Sequence, residues 1–237
     1  DTYTIAEGEQ QLMEPGDLLV QPSWTWHGTM NKGREAAVWV TVQDTGLINT
    51  LDAEFREQYP GGRLEPATKP DGFYLGRLGA VRPNLFTGGE GPRPGSRFPV
   101  KYKWADTLST LEGLAAAGEK CAQGGMFLEY VEPLTGGPTT RTMACQIQML
   151  RPGEETRPYR QLSNTIYTVV VGHGVSQVGS ERAAMERLEW GDHDCFHIPP
   201  WQWHFHRNTS ADQAAILFSV TDRPLAELTG LYSQELG

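Results

Sequence analysis

Two stretches of the chain decide its reading. Pro15-Gly16-Asp17 is followed by Pro22-Ser23-Trp24-Thr25-Trp26-His27, and Trp190-Gly191-Asp192 is followed by Pro200-Trp201-Gln202-Trp203-His204. Each runs from a tight turn through a short apolar strand to a proline bend. Each then ends in Trp-x-Trp-His before a β-branched strand, near Val38–Val42 and Ile216–Val220. Proline presets φ and glycine accepts positive φ, so Glu14-Pro15-Gly16-Asp17 is a turn. Self-similarity at one spacing, here about 175 residues, marks two copies of one supersecondary module.

Working outward from the repeat, the first 44 residues read as short strands. Thr2–Ile5 alternates with period two, and Gln10–Glu14, Leu18–Gln21 and Ala36–Val42 follow it as strands. Residues 45–125 differ. Leu47, Leu51 and Phe55 predict a helix over Leu47–Gln58, which Pro60-Gly61-Gly62 stops. Residues 60–100 read as a long Gly-, Pro- and Arg-rich loop, and the part from Arg77 to Arg97 is expected to wrap a subunit or domain contact. Asp106–Gly118 reads as a second helix. The β pattern returns at Met126–Val131, Met143–Leu150, Thr165–Val171, Cys195–Ile198 and Ala214–Val220, and Pro224–Tyr232 reads as a closing helix. The first copy of the repeat has almost nothing before it, whereas about 60 residues of strands precede the second. The expectation is therefore an all-β protein whose first module lacks its front half. Its open strand edges would invite pairing.

Composition excludes several classes. The chain has 237 residues and a formal net charge of −9. No apolar run approaches the roughly 18 residues of a membrane-spanning helix. No basic tract of five or more residues offers a nucleic-acid surface. Three cysteines, Cys121, Cys145 and Cys195, form no CxxC pair, so a disulfide framework is not expected and a reducing cytoplasm is the natural compartment. No basic segment followed by an apolar core opens the chain, which argues against a secretory signal.

A Gly-Asp turn, a strand, proline and Trp-x-Trp-His resemble the second motif of cupins. Pro152-Gly153, a polar stretch and then Thr165–Gly174 resemble their first motif. More specific are Phe127-Leu128-Glu129-Tyr130-Val131-Glu132-Pro133-Leu134-Thr135-Gly136-Gly137-Pro138 and Lys103-Trp104-Ala105-Asp106-Thr107, with Pro224-Leu225-Ala226-Glu227 in support. Together these resemble the gentisate 1,2-dioxygenase family, which includes salicylate and 1-hydroxy-2-naphthoate dioxygenases. The resemblance implies a bicupin of two jelly rolls. Residues 1–46 would be the back half of the first cupin, 47–125 a helical and loop linker, 126–223 the second cupin and 224–237 a terminal helix. It also implies a homotetramer, one non-haem Fe(II) held by three histidines in the first cupin, a small hydroxylated aromatic acid as substrate, and O2. The ring would open between the carbons bearing the carboxyl and hydroxyl groups.

Residue by residue, the resemblance makes His27 one iron ligand. No His-x-His precedes it to supply the other two, and one imidazole does not hold catalytic iron. Thr29 and Thr41 stand where relatives carry polar or charged pocket groups. Trp24, Trp26 and Trp39, with Thr41, are candidate pocket walls, the bland alternative being core packing. In the second cupin, His204 matches the single ligand and His206 follows at a spacing that puts both on one face of a strand. They make a candidate metal pair, two ligands rather than three. Thr156-Arg157-Pro158-Tyr159-Arg160-Gln161 occupies the place of the missing histidines there, and Arg157 and Arg160 offer either a carboxylate clamp or surface ion pairs. Two readings stand beside ring cleavage. One is an inactive cupin that binds a small aromatic acid or serves assembly. The other is a different metal activity in the second barrel.

Overall fold

The computed structural model describes residues 1–77 and 98–237, which form two compact units. The first comprises Asp1–Thr107 with Pro133–Gly136, and the second Leu108–Glu132 with Gly137–Gly237. Most of the stretch read as a wrapping loop, residues 78–97, lies outside the described residues.

In the first unit, β1 (Thr2–Ala6) lies between β2 (Glu9–Leu12) and β4 (His27–Asn31) in an antiparallel sheet. The turn residues Glu7 and Gly8 both have positive φ, and β1 pairs Tyr3 with Leu12 and Met30. A second small sheet joins β3 (Leu18–Val20) to β5 (Val100–Tyr102). Phe98 and Val100 are buried there beneath Tyr74, Tyr102 and Leu134. Lys101, 3% exposed, is held by Asp71 at 2.8 Å and by the Leu12 carbonyl at 3.0 Å, so its charge is paired rather than stranded.

Two expectations for this region fail. Ala36–Val42 forms no strand and is largely exposed, with Val38 95% accessible. β-branched sequence supplies propensity, but propensity on a strand edge is realised only against partners. The helix expected over Leu47–Gln58 shrinks to α1 (Thr45–Thr50), and none of its residues is buried. A helix that short without a packed face has little to stabilise it beyond its first turn. The expected helix at Asp106–Gly118 is present as α2 (Trp104–Ala116), anchored by the buried Leu111.

The second unit is a sandwich of two five-stranded antiparallel sheets. One has the order β12 (Cys195–Ile198), β9 (Thr165–Val171), β14 (Ala215–Thr221), β7 (Ala144–Leu150), β6 (Met126–Tyr130). The other runs β11 (Glu186–Trp190), β10 (Gly174–Gly179), β13 (Trp203–Asn208), β8 (Tyr159–Gln161), β15 (Gln234–Leu236). Strand alternation sends every second side chain inward. Tyr167 and Val169 from β9, Leu217 from β14, Leu150 from β7 and Trp190 from β11 meet in one core cluster. After α3 (Arg223–Leu228) the chain returns to pair β15 with β8, where the sequence had suggested helix to Tyr232. No helix among the described residues is long and apolar enough to cross a membrane.

Candidate functional site

The repeat seen in the sequence recurs as geometry. Equivalent positions lie 177 apart, as from Trp24 to Trp201. Both of these tryptophans have left-handed backbone, φ 63° and 62°. In the preceding turn, Asp17 Oδ2 accepts the Glu14 N–H at 3.2 Å and Asp194 Oδ2 accepts the Gly191 N–H at 2.8 Å. Gly16 (φ 86°) therefore corresponds to His193 (φ 70°). The sequence had matched Gly16-Asp17 with Gly191-Asp192, two residues early, because glycine is the usual signature of positive φ and here a histidine takes it. Beyond the turn, Nδ1 of His27 meets the Thr25 carbonyl at 3.0 Å, and Nδ1 of His204 meets the Gln202 carbonyl at 2.9 Å. Asn31 Oδ1 caps the Gly33 N–H, and Asn208 Oδ1 caps the Ser210 N–H, at 2.8 and 2.9 Å.

A carbonyl only accepts, so Nδ1 carries the proton in both rings and Nε2 is left with its lone pair. That is the orientation a metal-binding imidazole needs. In the first unit, His27 is exposed at the start of β4, opposite Ala6. Trp24, itself 69% exposed, stacks on Phe55 with ring centroids 5.3 Å apart, and Trp26 meets Tyr59 edge to face at 5.5 Å. Thr29 shares the strand face of His27, and its hydroxyl lies 2.8 Å from that of Thr4. Gly28 between them lies close under Leu64, where a Cβ would collide. Trp39 and Thr41 lie on the exposed stretch that follows. Phe55, read only as part of a helix pattern, and Tyr59 and Thr4 were not identified from sequence as partners of the site, since nothing local marks a contact 25 or more residues away.

Among the described residues no three His, Cys, Asp or Glu side chains gather to hold a metal ion. His27 suits one bond to Fe(II), but a catalytic iron site needs more protein ligands than one. These residues by themselves do not fit the group that the sequence resemblance implies.

The second unit buries two of its histidines, whereas His173, His193 and His197 are exposed. His204 is 1% exposed and His206 is fully buried, side by side on β13 with ring centroids 5.6 Å apart. The Tyr159 ring lies 4.0 Å from His204 and the Tyr167 ring 4.7 Å from His206, and the two phenol oxygens are 2.8 Å apart. Tyr159 belongs to the stretch that replaces the expected first-motif histidines. Burial lowers the pKa of His204 from 6.5 to about 4 and that of His206 well below 6.5, while it pushes the Tyr167 phenol up to about 12. The pair is thus neutral near pH 7, with neutral phenols around it. Arg160 is committed elsewhere: it pairs with Glu235 at 2.7 Å and lies over the rings of Trp201 and Trp203. Arg157 binds the Gly237 carbonyl.

The cupin domain family matches residues 146–221, from β7 to the end of β14. Over 98% of its length the chain is 36% identical to 5-aminosalicylate 1,2-dioxygenase from Comamonas sp, covering 59% of that protein. Over 99% of its length it is 35% identical to gentisate 1,2-dioxygenase from Haloferax sp, covering 65% of it. The chain is thus related along nearly its whole length to gentisate- and salicylate-type dioxygenases, and its second unit carries a cupin domain. It spans about three fifths of the length of these curated relatives. The solved salicylate 1,2-dioxygenase from Pseudaminobacter salicylatoxidans shares the fold, with a TM-score of 0.75 at 24% identity over 99% of this chain and 66% of that one. The bicupin fold that the sequence resemblance implied is thereby established.

Proposed function

We propose that the protein carrying this chain opens the ring of a gentisate-like hydroxybenzoate with O2, between the carbons bearing its carboxyl and hydroxyl groups. The observation that carries this reading is His27. It stands at the repeat's ligand position with Nδ1 tied to a carbonyl and Nε2 free, in a chain related along its length to ring-cleaving dioxygenases. Fe(II) would supply the O2 chemistry when bound. His27 would give it one ligand. Trp24 with Phe55 and Trp26 with Tyr59 offer flat apolar faces suited to an aromatic ring, and Trp39 and Thr41 would close the pocket's side. A homotetramer in the cytoplasm fits the family and the three free cysteines.

A second reading is favoured by the lone imidazole in the first unit and the closed pair in the second: a non-catalytic cupin that binds a small aromatic acid or serves assembly. One experiment separates the two. The full-length protein is loaded anaerobically with Fe(II), and iron content, gentisate binding and O2 uptake are measured for wild type, His27→Ala and His204→Gln. Ring cleavage predicts that His27→Ala loses iron and O2 uptake while His204→Gln keeps both. Gentisate binding without iron or O2 uptake in the wild type overturns it for the binding module. Loss confined to His204→Gln moves the chemistry to the second barrel.

A further inference from the structure

Among the described residues, Nε2 of His204 and Nε2 of His206 are buried in the second barrel without a hydrogen-bond partner. Their hydrogen-bonding states follow from their neighbours. Nδ1 of His204 faces the Gln202 carbonyl, so it bears the proton and Nε2 is a bare acceptor. Nδ1 of His206 faces the Ser176 hydroxyl at 2.7 Å, and that same oxygen accepts the Trp190 indole N–H at 2.9 Å. Ser176 is fully buried, so its hydroxyl hydrogen needs an acceptor. The arrangement that uses every group is Trp190 N–H to Ser176 Oγ and Ser176 O–H to His206 Nδ1. It leaves the proton of His206 on Nε2. One ring therefore presents an acceptor to the barrel interior and the other a donor.

We infer that His204 and His206 together bind one small hydroxyl-bearing molecule, water or an alcohol of similar size, and not a metal ion. A hydroxyl accepts from His206 Nε2–H and donates to His204 Nε2 at once. The two rings are neighbours on one strand face, with centroids 5.6 Å apart, and both orphan nitrogens are closed off from solvent. Between Tyr159 and Tyr167, whose rings pack against the two imidazoles, only one hydroxyl hydrogen is used, which leaves the second to find an acceptor. A metal would require lone pairs on both Nε2 atoms. That forces the proton of His206 onto Nδ1 and leaves the Ser176 hydrogen without an acceptor among the described residues. Gln148 extends the polar character of this interior: its Oε1 is also buried and unpaired, and its Nε2 binds the Gly124 carbonyl. Gly124 abuts Thr156, which exchanges two backbone-directed bonds with His206.

The test uses the whole protein labelled with 15N-histidine at pH 7. Long-range nitrogen–proton spectra should give opposite neutral tautomers, Nδ1–H for His204 and Nε2–H for His206, with a cross-peak from the His206 Nε2 proton to a bound hydroxyl or water. Titration with Zn(II) or Co(II) should leave these signals in place. Like tautomers, a charged ring, an absent cross-peak, or a one-to-one metal complex that removes both signals would each overturn the inference. Ser176→Ala keeps the inference testable if substitutions at the histidines fail to fold. Without the serine hydroxyl, His206 should lose its single tautomer, and an unchanged spectrum would sink the argument from Ser176.

Discussion

His27 and His204 turn Nδ1 toward the carbonyl oxygen two residues earlier, at 3.0 and 2.9 Å, yet His27 is open to solvent and His204 is 1% exposed. One local device, fixed by the Trp-x-Trp-His sequence and its left-handed tryptophan, thus serves two environments. The environment, not the device, decides what each ring does. In the second unit it keeps two rings neutral and enclosed.

That enclosure predicts acid sensitivity. Unfolded histidine titrates near 6.5, whereas burial lowers folded His204 to about 4 and His206 well below 6.5. Between those values the unfolded state binds more protons. Stability is therefore full above pH 6.5 and is lost as pH falls toward 4. For His204 the loss is on the order of 3 kcal/mol. Urea midpoints at pH 8, 7, 6 and 5 should fall below pH 6.5, and the fall should be shallower in His206→Gln. A midpoint unchanged from pH 7 to 5 would contradict the burial of the pair. Glu9 in the first unit works in the opposite sense, since burial raises its carboxyl, but that acts in the carboxylate range.

Asn31 and Asn208 are a matched pair with unequal stakes. Asn208 is fully buried. Its amide nitrogen serves the carbonyls of Leu150, Arg151 and Gln213, and its oxygen caps Ser210. Truncation leaves several backbone groups unpaired in the interior, so Asn208→Ala should cost about 3 kcal/mol. Asn31 makes the equivalent cap where water can replace it, and Asn31→Ala should cost under about 1 kcal/mol. Denaturant unfolding of the two variants measures both. Equal losses would mean that the equivalence of the two modules extends to their burial, which the structure denies.

How much of this was legible beforehand depended on whether the signal was local. Strands Thr165–Val171 and Cys195–Ile198 were read with their observed bounds, because alternation and β-branching lie within the segment itself. The shared face of His204 and His206 followed from period two alone. Strands β8 and β15 were missed, since three residues carry no periodicity and are strands only because they pair in the sheet, β8 with β13 and β15 with β8. The donor on Ser176 and the aromatic partners of Trp24 and Trp26 were invisible for the same reason. Such contacts are set by tertiary packing and leave no spacing to read.

The corrected register of the turn makes its own prediction. His193 and Gly16 hold the same left-handed position, and a side chain there costs about 1–2 kcal/mol that glycine avoids, less glycine's own entropy in the unfolded chain. His193→Gly should therefore stabilise by about 0.5 to 1 kcal/mol. Gly16→Ala should destabilise by more than that, because a Cβ would also meet the Trp104 ring at 2.6 Å. Thermal melting of the two variants should move in opposite directions. A loss in both would show that the His193 ring makes contacts worth more than its backbone strain.

Ala36–Val42 carries the last prediction. Its equivalents 177 positions on are residues 213–219, most of which lie in β14, the strand that pairs with β7 on one edge and β9 on the other. Ala36–Val42 has no such neighbours, and Val38, Trp39 and Val40 are 95%, 48% and 53% exposed. An exposed run of high β-propensity with no internal charge is a template for pairing with other chains. In a chain of these 237 residues, backbone amides at 36–42 should exchange with deuterium in seconds while those of Ala215–Thr221 stay protected. Val40→Lys should slow aggregation on standing and change unfolding stability by less than about 0.5 kcal/mol, because the side chain it replaces packs against little. Slow exchange at 36–42, or a large stability loss in Val40→Lys, would mean that this segment is a paired strand after all.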